Sequence, residues 1–192
     1  MHKLIITLIL SLLIATATAQ HRREKAKLYF KDGTELVGFA KIKSKKLNFY
    51  KEKRKGKVVK YNFEDLKYFE IKYDGKYVSF YYKKIKGKDR SMLMELITTG
   101  KVILYRRAVS QKGDIHTFNG GIGTPMGMPD KKISYYMAKN ETDDVIKFKQ
   151  KFKKEAKAFF KDCKQLVELI STKNYRRKDI LDIVDYYNND CE

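Results

Sequence analysis

Between residues 26 and 138 the apolar positions come in short bursts, with polar residues at alternate places and turn residues between the bursts. Lys27–Phe30 leads into the Asp32-Gly33 turn, and Thr34–Ile42 then alternates through Leu36, Gly38 and Ala40. Leu47–Tyr50, Val58–Tyr61, Tyr68–Tyr73 and Tyr77–Tyr82 follow, rich in the β-branched and aromatic residues that suit a pleated surface. Asp74-Gly75 is a two-residue hairpin signal. Met92–Thr98 and Val102–Val109 form a further hairpin around Gly100-Lys101, and Ile133–Met137 is the last strand. Phe63–Leu66 reads as a helical turn between strands. About eight or nine short strands at this spacing predict an antiparallel β-rich domain built as a curved sheet, sandwich or small barrel.

Beyond Ala138 the period changes. Asn140–Asp144 supplies side-chain oxygens suited to a helix N-terminus, so this stretch is read as a cap rather than as a glycosylation signal. Val145, Phe148, Phe152, Ala156, Phe159, Cys163, Leu166 and Ile170 recur at steps of three and four, which predicts one helix of about seven turns. Ser171–Arg177 breaks it. Asp179 then caps a second helix with its stripe at Ile180, Ile183, Val184 and Tyr187. Through so short a connection the two run antiparallel. The fold class expected is α+β: a β-rich domain over residues 20–138 followed by a helical hairpin over 139–192.

The first segment is read as an address. His2 and Lys3 precede an apolar run from Leu4 to Ile14, and Ala17-Thr18-Ala19 matches the pattern signal peptidase accepts. Residues 1–19 are therefore expected to be a signal peptide, cut between Ala19 and Gln20, because a membrane span needs about 17–25 apolar residues. No later stretch is apolar enough to cross a bilayer, so the mature chain is expected to be exported, to the periplasm or the outside. In an oxidising compartment a lone cysteine pair is most often a disulfide. Eight residues up from Cys163 rise about 12 Å and a ten-residue helix returns about 15 Å, which brings Cys191 back to the level of Cys163. Two free thiols are the alternative. A structural zinc site needs four ligands, and the mature histidines, His21 and His116, are remote in sequence.

Charge sharpens the picture. The chain carries a formal net charge of +20. Residues 20–138 hold 29 basic and 12 acidic residues, whereas 139–192 hold 13 and 11, so the surplus sits on the β-rich part. Such a field attracts anionic polymers and surfaces. Tyr77, Phe80 and Tyr82 beside Lys83 and Lys84 form a possible binding face on one strand. The 35 lysines against 8 arginines argue against nucleic acid, whose recognition favours the planar guanidinium. An anionic lipid or glycan of the envelope, or a protein partner, fits better. Asn119–Pro129 holds both prolines and is read as a connection whose Met126 and Met128 form a possible binding loop.

Signs of catalysis are few. Neither a G-x-S-x-G elbow nor an H-E-x-x-H pair is present, and His116 is the one plausible base. No cofactor motif is found, so a non-enzymatic protein is expected. The alternatives are a secreted hydrolase using carboxylates such as Asp65, Glu70 and Glu95, or a purely structural envelope protein. The helical lysines from Lys147 to Lys157 are expected to form a solvated face.

The signal peptide, the stretch F-K-D-G-T-E-L-V-G-F-A-K-I (Phe30–Ile42), F-E-D-L (Phe63–Leu66), F-F-K-D-C (Phe159–Cys163) and Y-Y-N-N-D-C (Tyr186–Cys191) together resemble small exported proteins of unknown function found in Bacteroidota. The D-G-T-x-x-x-G start is also similar to the first hairpin of small SH3-like barrels. The first resemblance implies periplasmic or extracellular residence and pairing of Cys163 with Cys191, and brings no activity with it.

Overall fold

The structure is a computed structural model and describes residues 23–43, 46–53, 56–109, 132–142, 144–149 and 151–191. Nine strands form one open antiparallel sheet: β1 (Glu24–Phe30), β2 (Glu35–Lys43), β3 (Lys46–Tyr50), β4 (Val59–Asn62), β5 (Leu66–Tyr73), β6 (Lys76–Lys84), β7 (Ser91–Thr98), β8 (Ile103–Val109) and β9 (Lys132–Ala138). Their spatial order is β4-β3-β2-β1-β5-β6-β7-β8-β9. All neighbours are consecutive in sequence except β1 and β5, so short turns set the architecture. Asp74 and Gly75 both take positive φ, 45° and 84°, which matches the right-handed twist of the β5–β6 hairpin they join. The fold class is thus α+β as expected, with a single curved sheet rather than a sandwich.

The sheet curls in two senses. In its first part, Ala26, Leu28, Ala40, Leu47, Phe49, Phe69, Ile71 and Phe80 share one face and are all buried. Phe30 on β1 and Tyr61 on β4 touch edge to face at 5.1 Å although three strand steps separate their strands. Only strong curling brings them together. The expected helical turn is a 3-10 turn over Phe63–Asp65, and Phe63 plugs the curl against Phe69 and Tyr82.

The last four strands bury the opposite face. Met94, Ile103, Tyr105, Tyr136 and Ala138 gather there around Val145. Val145 bridges Ile85, just beyond β6, and Ile146 bridges Met137 on the outer edge of β9. Val145 N–H donates to the Lys84 carbonyl and Lys86 N–H to that of Val145, both at 2.9 Å. Ile146 and Met137 exchange two more backbone bonds of 2.8 and 2.9 Å.

This corrects the long helix expected from Val145 to Ile170. Val145, its first position, joins Ile146 as a β-branched pair used as a strap, and among the described residues the first helix after it begins only at Phe152. The remainder divides into α1 (Phe152–Phe159) and α2 (Lys164–Ser171), followed by α3 (Ile180–Asn189). The break falls where Cys163 takes extended angles, φ −111° and ψ 92°, and bonds to Cys191 with the Cα atoms 5.6 Å apart. Tertiary demands there override a continuous 3.6-residue pattern. Burial nonetheless follows the stripe: Val145, Phe148, Ala156, Cys163, Leu166 and Ile170 are all buried.

The helices share one core with the sheet. Val102, Leu104 and Met137 pack against Phe148, Phe160, Leu166, Ile183 and Val184. Asn188 of α3 clasps β8 at both ends of one residue: Val102 N–H donates to its Oδ1 at 2.8 Å, and its Nδ2 donates to the Val102 carbonyl at 3.0 Å. No helix among the described residues is long and apolar enough to cross a membrane.

Candidate functional site

Strand alternation decides the fate of the expected β6 face. Successive side chains point to opposite sides, so Tyr77 and Lys83 lie on one face and Phe80, Tyr82 and Lys84 on the other. Phe80 is buried and stacks on Phe69 at 5.3 Å, and Tyr82 leans on Phe63 at 5.8 Å. Lys83 is buried as well; its ammonium donates to the Glu141 carbonyl and sits 5.8 Å from the Tyr105 ring centroid. Only Tyr77 and Lys84 remain exposed, on opposite sides, so the five residues do not form one binding face.

The Tyr77 side instead carries a row of tyrosines from four strands, β1, β5, β6 and β8. Tyr29 stacks on Tyr68 at 4.3 Å, Tyr68 on Tyr81 at 5.2 Å, and Tyr81 meets Tyr105 edge to face at 5.8 Å. Burial, and then the Glu70 charge, push the Tyr29 phenol up to about 12. Burial, and then Glu141, do the same for Tyr81, also to about 12. Because the rings cover one another, the row fills the space over the sheet and leaves few ring faces open for a ligand. Beside it, Lys27 and Lys72 bracket the Tyr77 ring at 4.8 and 5.6 Å.

The three carboxylates considered for hydrolysis are scattered. Glu95 receives two bonds from the Arg106 guanidinium, at 2.6 and 3.1 Å, with both side chains nearly buried. Glu70, on the other face of the sheet, receives Tyr29 and Ser79 hydroxyls, each at 3.4 Å. Asp65 is exposed on the 3-10 turn. Among the described residues no three His, Cys, Asp or Glu side chains are placed to hold a metal ion. His21, His116, Met126, Met128, Ala19 and Gln20 lie outside the described residues. Cys163 and Cys191 form a disulfide, and both are buried.

A gathering of cations lies elsewhere. A cavity of about 690 Å³ opens between α1 and the turn joining α2 to α3. From the α1 side Lys151, Lys153, Lys154 and Lys157 line it; from the turn come Lys173, Arg176 and Arg177. Phe152, Ile170 and Tyr175 supply its apolar lining. Two cations are tied to backbone carbonyls, Lys153 to Ser171 at 2.7 Å and Arg177 to Phe148. Lys151, Lys154, Lys157, Lys173 and Arg176 form no ion pair among the described residues. Of the carboxylates near in sequence, Glu155 accepts from Lys149 N–H at 2.6 Å and Asp179 from Arg176 N–H at 2.8 Å, while burial, and then the Asp182 charge, push up the phenol of the lining Tyr175.

A second cavity of about 510 Å³ adjoins the first and shares Phe152 and Arg177 with it. Ile133, Tyr135, Met137, Phe148 and Ile180 make it mostly apolar, with Lys147 and Lys178 adding charge. On the far side of α1 a cavity of about 730 Å³ mixes signs, with Asp144 beside Lys86, Lys139 and Lys161. The exclusively cationic lining belongs to the first pair alone among these three.

Lys173 contributes an oddity of the backbone. It follows the Thr172 C-cap of α2 with φ +65°, a conformation in which L-residues are disfavoured and Gly or Asn is the usual occupant. A lysine held there at a cost of about 1 kcal/mol keeps an ammonium on the cavity wall.

The chain matches no family model, no curated protein and no solved structure. The cavity was missed in the sequence because its two cationic clusters, KFKKEAK and KNYRRK, flank the α2 helix and meet only when α2 and its turn fold back along α1. Two basic clusters bracketing one apolar helix were the available signal. Chemically, the arrangement can bind an anion and shield its non-polar part.

Proposed function

We propose that the protein is an exported, non-enzymatic binding protein of the cell envelope, and that it takes an anionic envelope component in the cavity between α1 and the α2–α3 turn. The observation that carries this reading is the gathering of seven cations around one cavity with no carboxylate in its lining. Like charges this close repel and lower stability, and an anion bound among them offsets that cost. Export is supported by the apolar leader ending in Ala17-Thr18-Ala19, by the resemblance to exported Bacteroidota proteins, and by a disulfide, which persists in oxidising compartments. The hydrolase alternative draws no support from Glu70 and Glu95, which face opposite sides of the sheet.

The test is binding of the mature protein to lipopolysaccharide, anionic phospholipid vesicles, an acidic glycan and DNA across a salt series. Retention of the lipid or glycan ligand at physiological ionic strength, with DNA lost, is expected. Equal and steeply salt-weakened binding to all four would mean that the net charge acts as a generic field and would overturn the proposal.

A further inference from the structure

The two adjoining cavities narrow the ligand class, on the reading that the cationic cavity binds an envelope anion. A free phosphate or a sugar acid needs only the cations. It gives no account of the apolar lining of Phe152, Ile170 and Tyr175 beneath them, nor of the second cavity lined by Tyr135, Phe148 and Ile180. Phe152 and Arg177 belong to both cavities, so a chain leaving the cationic ring along the Phe152 side enters the second, more apolar one, with Arg177 as the cation at the junction. Charge at one end and hydrocarbon lining at the other are complementary to one molecule carrying both. Cavities of about 690 and 510 Å³ fall within the range that holds ligands of this size.

We infer that the site takes a single-chain anionic lipid. Its phosphate or carboxylate head sits among Lys154, Lys157, Lys173 and Arg176, and its acyl chain runs past Phe152 into the cavity under Ile180. The lysines that stay unpaired in the free protein are the groups that meet the head. Lys153 and Arg177, already bonded to the Ser171 and Phe148 carbonyls, tie the walls to each other.

The experiment is calorimetric titration of the mature protein at physiological salt with n-alkyl phosphates of increasing length, kept below their micelle concentrations. Glycerol 3-phosphate and an uncharged alkyl glycoside are the controls. Affinity is expected to rise about fourfold per added methylene until the second cavity is full, since each buried CH₂ contributes about 0.8 kcal/mol. Neutralising two cations, Lys154→Gln with Lys157→Gln, should weaken every alkyl phosphate about twenty-five-fold, about fivefold for each charge. Phe152→Trp should shorten the longest chain that still adds affinity, and Phe152→Leu should not.

Anion binding in physiological salt without dependence on chain length would overturn this inference and leave the proposed function standing. Equal affinity for the alkyl glycoside would overturn it too, because the head would then contribute nothing. Alkyl phosphate binding indifferent to both the lysine and the Phe152 substitutions would place the ligand elsewhere and sink the assignment. Failure of every anion to bind at physiological salt would remove the proposed function itself.

Discussion

Reduction of the Cys163–Cys191 disulfide should cost this protein a large part of its margin of stability. The two cysteines are 28 residues apart, and the loop they close contains α2, the cationic turn and α3. Cross-linking a loop of that length removes about 12 cal/mol/K of entropy from the unfolded chain, or about 3.6 kcal/mol at 25 °C. In a chain of this size each kcal/mol shifts the melting temperature by about 2–4 °C, so the expected fall is about 7–14 °C. The assay is calorimetric melting of the mature protein, oxidised and then in excess reductant, with Cys163→Ala/Cys191→Ala as a second route to the open loop. Reduction keeps every core atom in place and isolates the cross-link, whereas the double alanine variant also empties sulfur volume among Phe160, Leu166 and Tyr187 and should melt lower still. A change below about 2 °C on verified reduction would refute the reasoning, because the helices would then be held by packing alone.

Three further outcomes can be checked. Lys173→Gly relieves the left-handed backbone and should raise stability by about 0.5–1 kcal/mol in denaturant titration while weakening anion binding about fivefold; a loss of stability would remove the argument from strain. Asn188→Ala leaves the N–H and carbonyl of the buried Val102 without their clasp and should destabilise by about 2–3 kcal/mol, read by urea melting, with a neutral effect counting against it. Asp162 is raised by partial burial, yet its bonds from Lys139 and Tyr187 outweigh this and hold its carboxyl below the usual range. Its contribution is therefore complete above the unfolded value near about 3.9 and fades as pH falls through the lower folded one, so Asp162→Asn should flatten that part of the acid melting profile, and an unchanged profile would show that the pairing contributes nothing.

Much of the fold could be read in advance because its information is local. Strands joined by short turns announce themselves through alternation and through pairs such as Asp74-Gly75, and each of the nine strands meets a sequence neighbour directly on at least one side. The cysteine pairing was legible for a similar reason, since helix rise alone returns Cys191 to Cys163. What failed needed three-dimensional context. Val145 fits a helical stripe as well as it fits a strap, and only the free edge of β9 beside Ile146 chooses between them. The expected β6 face ignored parity: Tyr77 and Tyr82 differ by an odd number of positions and so cannot share a side. The cationic cavity was hidden by a nearly neutral C-terminal segment, in which acids and bases balance in number but not in place.

The Val145–Ile146 strap has a consequence for how molecules of this protein tolerate one another. A nine-stranded open sheet ends in two rows of backbone groups that could recruit strands from a neighbouring copy and template aggregation. At β9 the protein's own backbone occupies part of that row through the paired bonds of Met137 and Ile146. At the other end β4 is only four residues long and carries the exposed Lys60, a brief and charged edge that gives an incoming strand little to grip. The segment that upset the helical expectation thus covers part of an edge that would otherwise be open to strand exchange.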